Sequence, residues 1–168
     1  MPKPLYAYPV IKILNEGKTV KNIEFSESIY RPKFKGVKAL IVDDEPMNLV
    51  VATSLFSDYD IVIDTAGSGR EAINKFNNGD YDIVFMDHMM PEMDGVEAMK
   101  IIKKMAQEMY KNILVVALTA NAVSGAREMF MKEGFDGFIA KPINMSEFER
   151  VMMQILPDSL IDKGGEEK

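Results

Sequence analysis

The sequence predicts an α/β fold, a doubly wound five-stranded parallel sheet with helices on both faces. Three observations carry that expectation. Between Lys38 and about Leu156, short apolar runs alternate five times with stretches of helical periodicity, the pattern of a parallel sheet built with right-handed crossovers. Several of these runs stay apolar until a final charged or hydroxyl residue, as strands buried on both faces do. Ser or Asp followed three residues later by Glu opens several of the helical stretches, a sign of helix N-termini.

The first strand is Ala39 to Val42. A helix follows from about Pro46 to Ser57, with Pro46 suited to a first-turn position and Val50, Val51, Ser54 and Leu55 at helical spacing. The second strand is about Asp60 to Asp64, where Ile61 and Ile63 alternate with Val62. Ser68 and Glu71 open a second helix that ends near Asn77-Asn78-Gly79. The third strand runs from Asp82 to Met86. Asp94 and Glu97 start a third helix, on which Val96, Met99, Ile102 and Ala106 form one stripe. The fourth strand is Ile113 to Leu118, and a fourth helix of about Ala122 to Lys132 is stopped by Gly134. The fifth strand is Gly137 to Ala140, and Ser146 with Glu149 caps a last helix reaching Ile155. Strands one, three and four are almost wholly apolar and should be central.

Composition narrows the function. At 168 residues the chain is one domain plus an extension, and 47% hydrophobic residues exclude disorder throughout. A net charge of −6 and a pI near 4.9 lack the basic face of a nucleic-acid binder. The absence of cysteine excludes disulfides and thiolate metal sites and suits a cytoplasmic location. No apolar stretch approaches a membrane span, and the amino terminus carries no signal-peptide pattern. The 14 methionines read as adaptable core filler.

Ligands bind such sheets beyond the carboxyl ends of the strands. Here four strand ends would gather Asp43 and Asp44, Asp87, Thr119 and Lys141 in one cleft. Asp87 to Asp43, Thr119 to Asp87 and Lys141 to Thr119 are 44, 32 and 22 positions apart, each gap filled by intervening elements. A carboxylate such as Asp87 can attack phosphorus and form an acyl phosphate. Adjacent carboxylates such as Asp43 and Asp44 suit an oxygen-seeking divalent cation, with Mg2+ favouring one or two carboxylates plus waters and phosphate. Thr119 offers a hydroxyl and Lys141 an ammonium to the same phosphoryl oxygens.

With the segment Phe85-Met-Asp-His-Met-Met-Pro-Glu-Met-Asp-Gly95, residues 37–156 resemble the receiver domain of two-component response regulators and hybrid histidine kinases. The resemblance implies that Asp87 accepts a phosphoryl group from a phosphohistidine on a histidine kinase or histidine phosphotransfer domain. It implies Mg2+ held directly by Asp44 and Asp87, through water by Asp43, and by the backbone carbonyl of Met89. Thr119 and Lys141 would hold the phosphoryl oxygens, Thr119 and Phe138 would form the switch, and the Lys141-Pro142 bond would be cis. Such a module promotes its own phosphorylation without being a kinase; the resemblance leaves room for a membrane anchor on its parent protein and for a second copy of the chain as a partner. Two alternatives remain: a phosphatase that forms its own aspartyl phosphate, and a degenerate receiver that only docks. The phosphatases use a second aspartate two positions after the nucleophile, where this chain has Met89, a residue unable to transfer protons.

Residues 1–36 read as an extension or linker, and 157–168 as a polar tail. Lys3-Pro4-Leu5 followed by Val10, Ile13 and Leu14 repeats Lys141-Pro142-Ile143 followed by Phe148, Val151 and Met152 in register. Residues 1–14 are therefore expected to be the last helix of a preceding receiver from a hybrid histidine kinase. His88, the single histidine, reads as a loop residue beside the acceptor, and Gly67-Ser68-Gly69 as a helix start.

Overall fold

The computed structural model describes residues 32–120 and 124–162. Five strands, β1 (Lys38–Val42), β2 (Val62–Ala66), β3 (Ile83–Asp87), β4 (Leu114–Thr119) and β5 (Gly137–Ala140), form one parallel sheet in the order β2-β1-β3-β4-β5. Helices α1 (Pro46–Phe56), α2 (Gly69–Asn78), α3 (Gly95–Glu108), α4 (Ala126–Glu133) and α5 (Met145–Ile155) connect or follow them. The central strands are the apolar ones, because they are covered on both faces: every residue of β3 is buried.

The alternation of the strands divides the interior in two. Leu40, Val42, Val84, Met86, Val115 and Ala117 pack on one face with Ala72 and Phe76 of α2, Met99 and Ile102 of α3, and Phe130 of α4. Ala39, Ile41, Ile83, Phe85, Val116 and Leu118 pack on the other with Phe56 of α1 and Phe148 and Met152 of α5.

Two helix caps stand where the sequence predicts them. Glu71 N–H donates to Ser68 Oγ at 3.1 Å, and Glu97 N–H donates to Asp94 Oδ1 at 2.9 Å. The last helix differs. Its cap is Asn144, whose Oδ1 accepts from Glu147 N–H at 3.1 Å, not the expected Ser146 with Glu149. The helix begins two residues earlier because Asn144 holds the extended backbone of an N-cap. Strand β2 lies two residues later than Asp60 to Asp64. A 3-10 turn, Ser57–Tyr59, extends α1, and Asp60 then adopts a left-handed conformation with φ 63. The sheet can take up the chain only beyond that reversal.

The packed unit also reaches past both expected ends of 37–156. Phe34 is fully buried, and Lys33 and Asp162 exchange backbone hydrogen bonds of 2.8 and 2.7 Å in an antiparallel bridge. Asp162, within the expected polar tail, is thus tied to the body. The expected helix at residues 1–14 and the rest of the tail lie outside the described residues. Among the described residues, no helix is long and apolar enough to cross a membrane.

Candidate functional site

The carboxyl ends of β1, β3, β4 and β5 converge. Asp43 and Asp87 are only 2% and 6% exposed, while Asp44, one residue further out, faces solvent. One carboxylate oxygen from each of Asp43, Asp44 and Asp87 lies within 4.8 Å of the others. Lys141 follows directly on the end of β5 and precedes a cis Lys141-Pro142 bond. Its Nζ bridges the two buried acids, 2.9 Å from Asp43 Oδ2 and 3.0 Å from Asp87 Oδ1.

Backbone bonds hold this arrangement. His88 N–H donates to Leu118 O at 2.9 Å, which ties the loop after β3 to β4. Lys141 N–H donates to Thr119 O at 2.8 Å, which ties the loop after β5 to β4. Gly95 N–H donates to His88 O at 2.9 Å and closes the loop after β3 onto α3. A Cβ at Gly95 would collide with the carbonyl oxygen of Asp87, so that approach requires glycine.

The electrostatics follow from crowding two buried acids. Burial pushes the Asp87 carboxyl up to about 6, the charge of Asp43 adds to the rise, and the Lys141 ammonium opposes it. Burial works against the charge on Lys141, but its bonds to Asp43 and Asp87 outweigh burial and hold it above the usual lysine range. An all-oxygen set of three carboxylates, one of them exposed, fits a hard divalent cation with several waters. Asp43, Asp44 and Asp87 are the side chains that could hold it.

Thr119 is 1% exposed at the end of β4, and Phe138 is half-buried on β5 with its ring stacked on Phe130 at 5.7 Å. Met89 extends an exposed side chain from the loop after Asp87. The sequence reasoning passed over Asn48. It lies one turn into α1, and its Nδ2 donates to Asp43 Oδ1 at 3.3 Å beside Glu45 N–H at 2.9 Å. An amide one helical turn beyond an acidic pair was the available signal.

Residues 39–152 match the family described as Response regulator receiver domain. The chain belongs to that family. Curated relatives include hybrid signal transduction histidine kinase A of Dictyostelium discoideum, 35% identical over 139 residues, 82% of this chain and 6% of that protein. The signal transduction histidine-protein kinase BarA of Escherichia coli is 29% identical over 120 residues, 71% of this chain and 13% of that protein. The chain spans between 6% and 16% of the length of such relatives. Among solved structures, Thermotoga maritima TrrA in complex with Mg2+ and BeF is 29% identical with a TM-score of 0.62, over 71% of this chain and 99% of that one. The receiver domain of Saccharomyces cerevisiae Ssk1, solved with the histidine phosphotransfer protein Ypd1, is 26% identical with a TM-score of 0.64, over 78% and 97%. The receiver has the five-stranded fold expected from the sequence.

Proposed function

We propose that this receiver is the phosphoacceptor of a phosphorelay and that Asp87 takes the phosphoryl group. The observation that carries this reading is the buried Asp87 carboxylate at the end of β3, bridged by Lys141 to Asp43 within a three-carboxylate cluster. A carboxylate oxygen of Asp87 attacks the phosphorus of a phosphohistidine, the P–N bond breaks, and the electron pair leaves with the imidazole. Lys141 turns its ammonium from the two acids to the incoming phosphoryl oxygens, and Thr119 donates its hydroxyl to the same group. Asp43, Asp44 and Asp87, with the Met89 carbonyl, would hold Mg2+, which would neutralise charge as two anions approach. The reading also makes the chain a cytoplasmic part of a hybrid histidine kinase.

The partner is a histidine kinase or a histidine phosphotransfer domain. Helix α1 begins two residues after Asp44 and carries Met47, Val50 and Val51 at 66%, 61% and 47% exposure, an apolar surface beside the acceptor suited to a donor helix. Thr119 moving toward the phosphoryl group would let Phe138 turn inward and alter the face of α4, β5 and α5.

Acetyl phosphate with Mg2+ should label the wild type with an acyl phosphate and leave Asp87→Asn unlabelled. Equal labelling of the variant would overturn the assignment. Sustained multiple-turnover hydrolysis of p-nitrophenyl phosphate would favour the phosphatase instead.

A further inference from the structure

We propose that His88 is a positioning residue that transmits the state of the acceptor loop to α4 and β5 through the ring of Phe130. The proposal rests on the reading of Asp87 as the acceptor. His88 is the next residue in the chain, so the loop cannot shift at Asp87 without carrying His88 with it.

Its backbone is held on both sides, by Leu118 O and by Gly95 N–H. Its side chain is not held by polar bonds: Nδ1 is buried and has no hydrogen-bond partner among the described residues. Burying an unmatched ring nitrogen is costly, and an aliphatic residue would avoid that cost. What the imidazole supplies here is a flat ring with a polarised edge. It meets Phe130 edge to face, with centroids 4.9 Å apart and planes at 90°.

Phe130 is a hub. It is 1% exposed, stands on α4, stacks on Phe138 of β5 at 5.7 Å and 29°, and meets Phe135 edge-on at 5.6 Å and 88°. Three rings therefore run from the residue beside the acceptor to the expected switch residue, with Phe135 as a branch off the middle one. In a close-packed interior, a ring displaced at one end moves its neighbours instead of filling a gap. Thr119 ends β4, the strand that pairs with β5, where Ala117 stands beside Phe138, and His88 connects to Phe138 from the loop after β3 by a separate path through Phe130.

The test is nuclear magnetic resonance on the full chain with Mg2+ and beryllofluoride as the phosphoryl mimic. In the wild type, shift changes are expected both at residues 43, 87 and 141 and across residues 126–138. In His88→Ala the changes at 43, 87 and 141 should persist, while those across 126–138 fall to about a third of their wild-type size or less. His88→Phe, which keeps the ring edge and discards the nitrogens, should restore them. Phe130→Leu should reproduce the loss if His88→Ala folds poorly. Undiminished changes across 126–138 in His88→Ala, or a folded His88→Phe that fails to restore them, would overturn the inference and leave the acceptor assignment intact. An absence of any response at 43, 87 and 141 in the wild type would overturn the acceptor assignment, and this inference with it.

Discussion

Both faces of the sheet carry aromatic rings, Phe76, Tyr81, Phe130, Phe135 and Phe138 on one and Phe34, Phe56, Tyr59, Phe85 and Phe148 on the other, but they differ in methionine. On the face covered by α1 and α5, the rings of Phe34, Phe56, Tyr59, Phe85 and Phe148 form one aromatic cluster centred on Phe148, with centroids 4.2 Å from Phe56, 5.0 Å from Tyr59 and 5.9 Å from Phe85. On the face covered by α2, α3 and α4, Met86, Met90 and Met99 are buried, and Met93, Met105 and Met109 pack at the margin. Among the described residues, the aromatic face has a single buried methionine, Met152. Rigid rings hold one geometry, whereas thioether chains re-pack at low cost.

The alternation of the strands distributes the site residues between these faces. Asp43 shares the parity of Ile41, Asp87 that of Phe85 and Lys141 that of Ile139, all on the aromatic side. Thr119 shares the parity of Ala117, His88 that of Met86, and Phe138 itself packs on the methionine side. The proposed chemistry thus draws on both faces, since Asp44 shares the parity of Val42 on the methionine side, whereas the groups proposed for the switch all stand on that side.

That division can be broken most severely at Phe148. Phe148→Ala should destabilise the fold by about 3–5 kcal/mol in urea denaturation, because four ring contacts lose their common partner. Met99→Leu, equally buried on the other face, should cost less than about 1.5 kcal/mol. Equal losses would erase the distinction between the faces.

A smaller effect belongs to Asp87. Its folded pKa of about 6 lies above the ordinary 3.8, so the folded chain binds the extra proton between these values. Stability from this group is therefore fullest below about pH 4, falls as pH rises from about 4 to 6, and stays low above that. In chelator, Asp87→Asn should exceed the wild type by on the order of 1–2 kcal/mol at pH 7.5 and lose that advantage near pH 4. Parallel pH profiles for the two proteins would show that Asp87 is not strained by its charge.

The smallest change in stability is expected at the outer surface of α1. Val50→Ser should alter folding by no more than about 0.5 kcal/mol. It should slow transfer from a phosphohistidine protein roughly fivefold while leaving labelling by acetyl phosphate unchanged. A matching decrease with both donors would point to damage at the site and not to lost docking.

Much of this was legible along the chain. The caps at Ser68 and Asp94 were readable because a cap is settled within four residues, and the buried strands because both their faces are covered by helices. The cap at Asn144 was misread since Ser146, two residues on, offers the same chemistry, and only the backbone conformation chooses between them. Strand β2 shifted because the left-handed turn at Asp60 leaves no mark in apolar periodicity. The sequence by itself determined the alternation of elements, the central strands and the acids, hydroxyl and ammonium at their ends, since these depend on local pattern. Only the tertiary structure decided that Lys141 binds both Asp43 and Asp87, that Asn48 supports Asp43, that Phe34 completes the aromatic face and that His88 rests on Phe130. Those contacts join residues as distant in the chain as Phe34 and Phe148, and no local pattern encodes which distant side chains fill the same space.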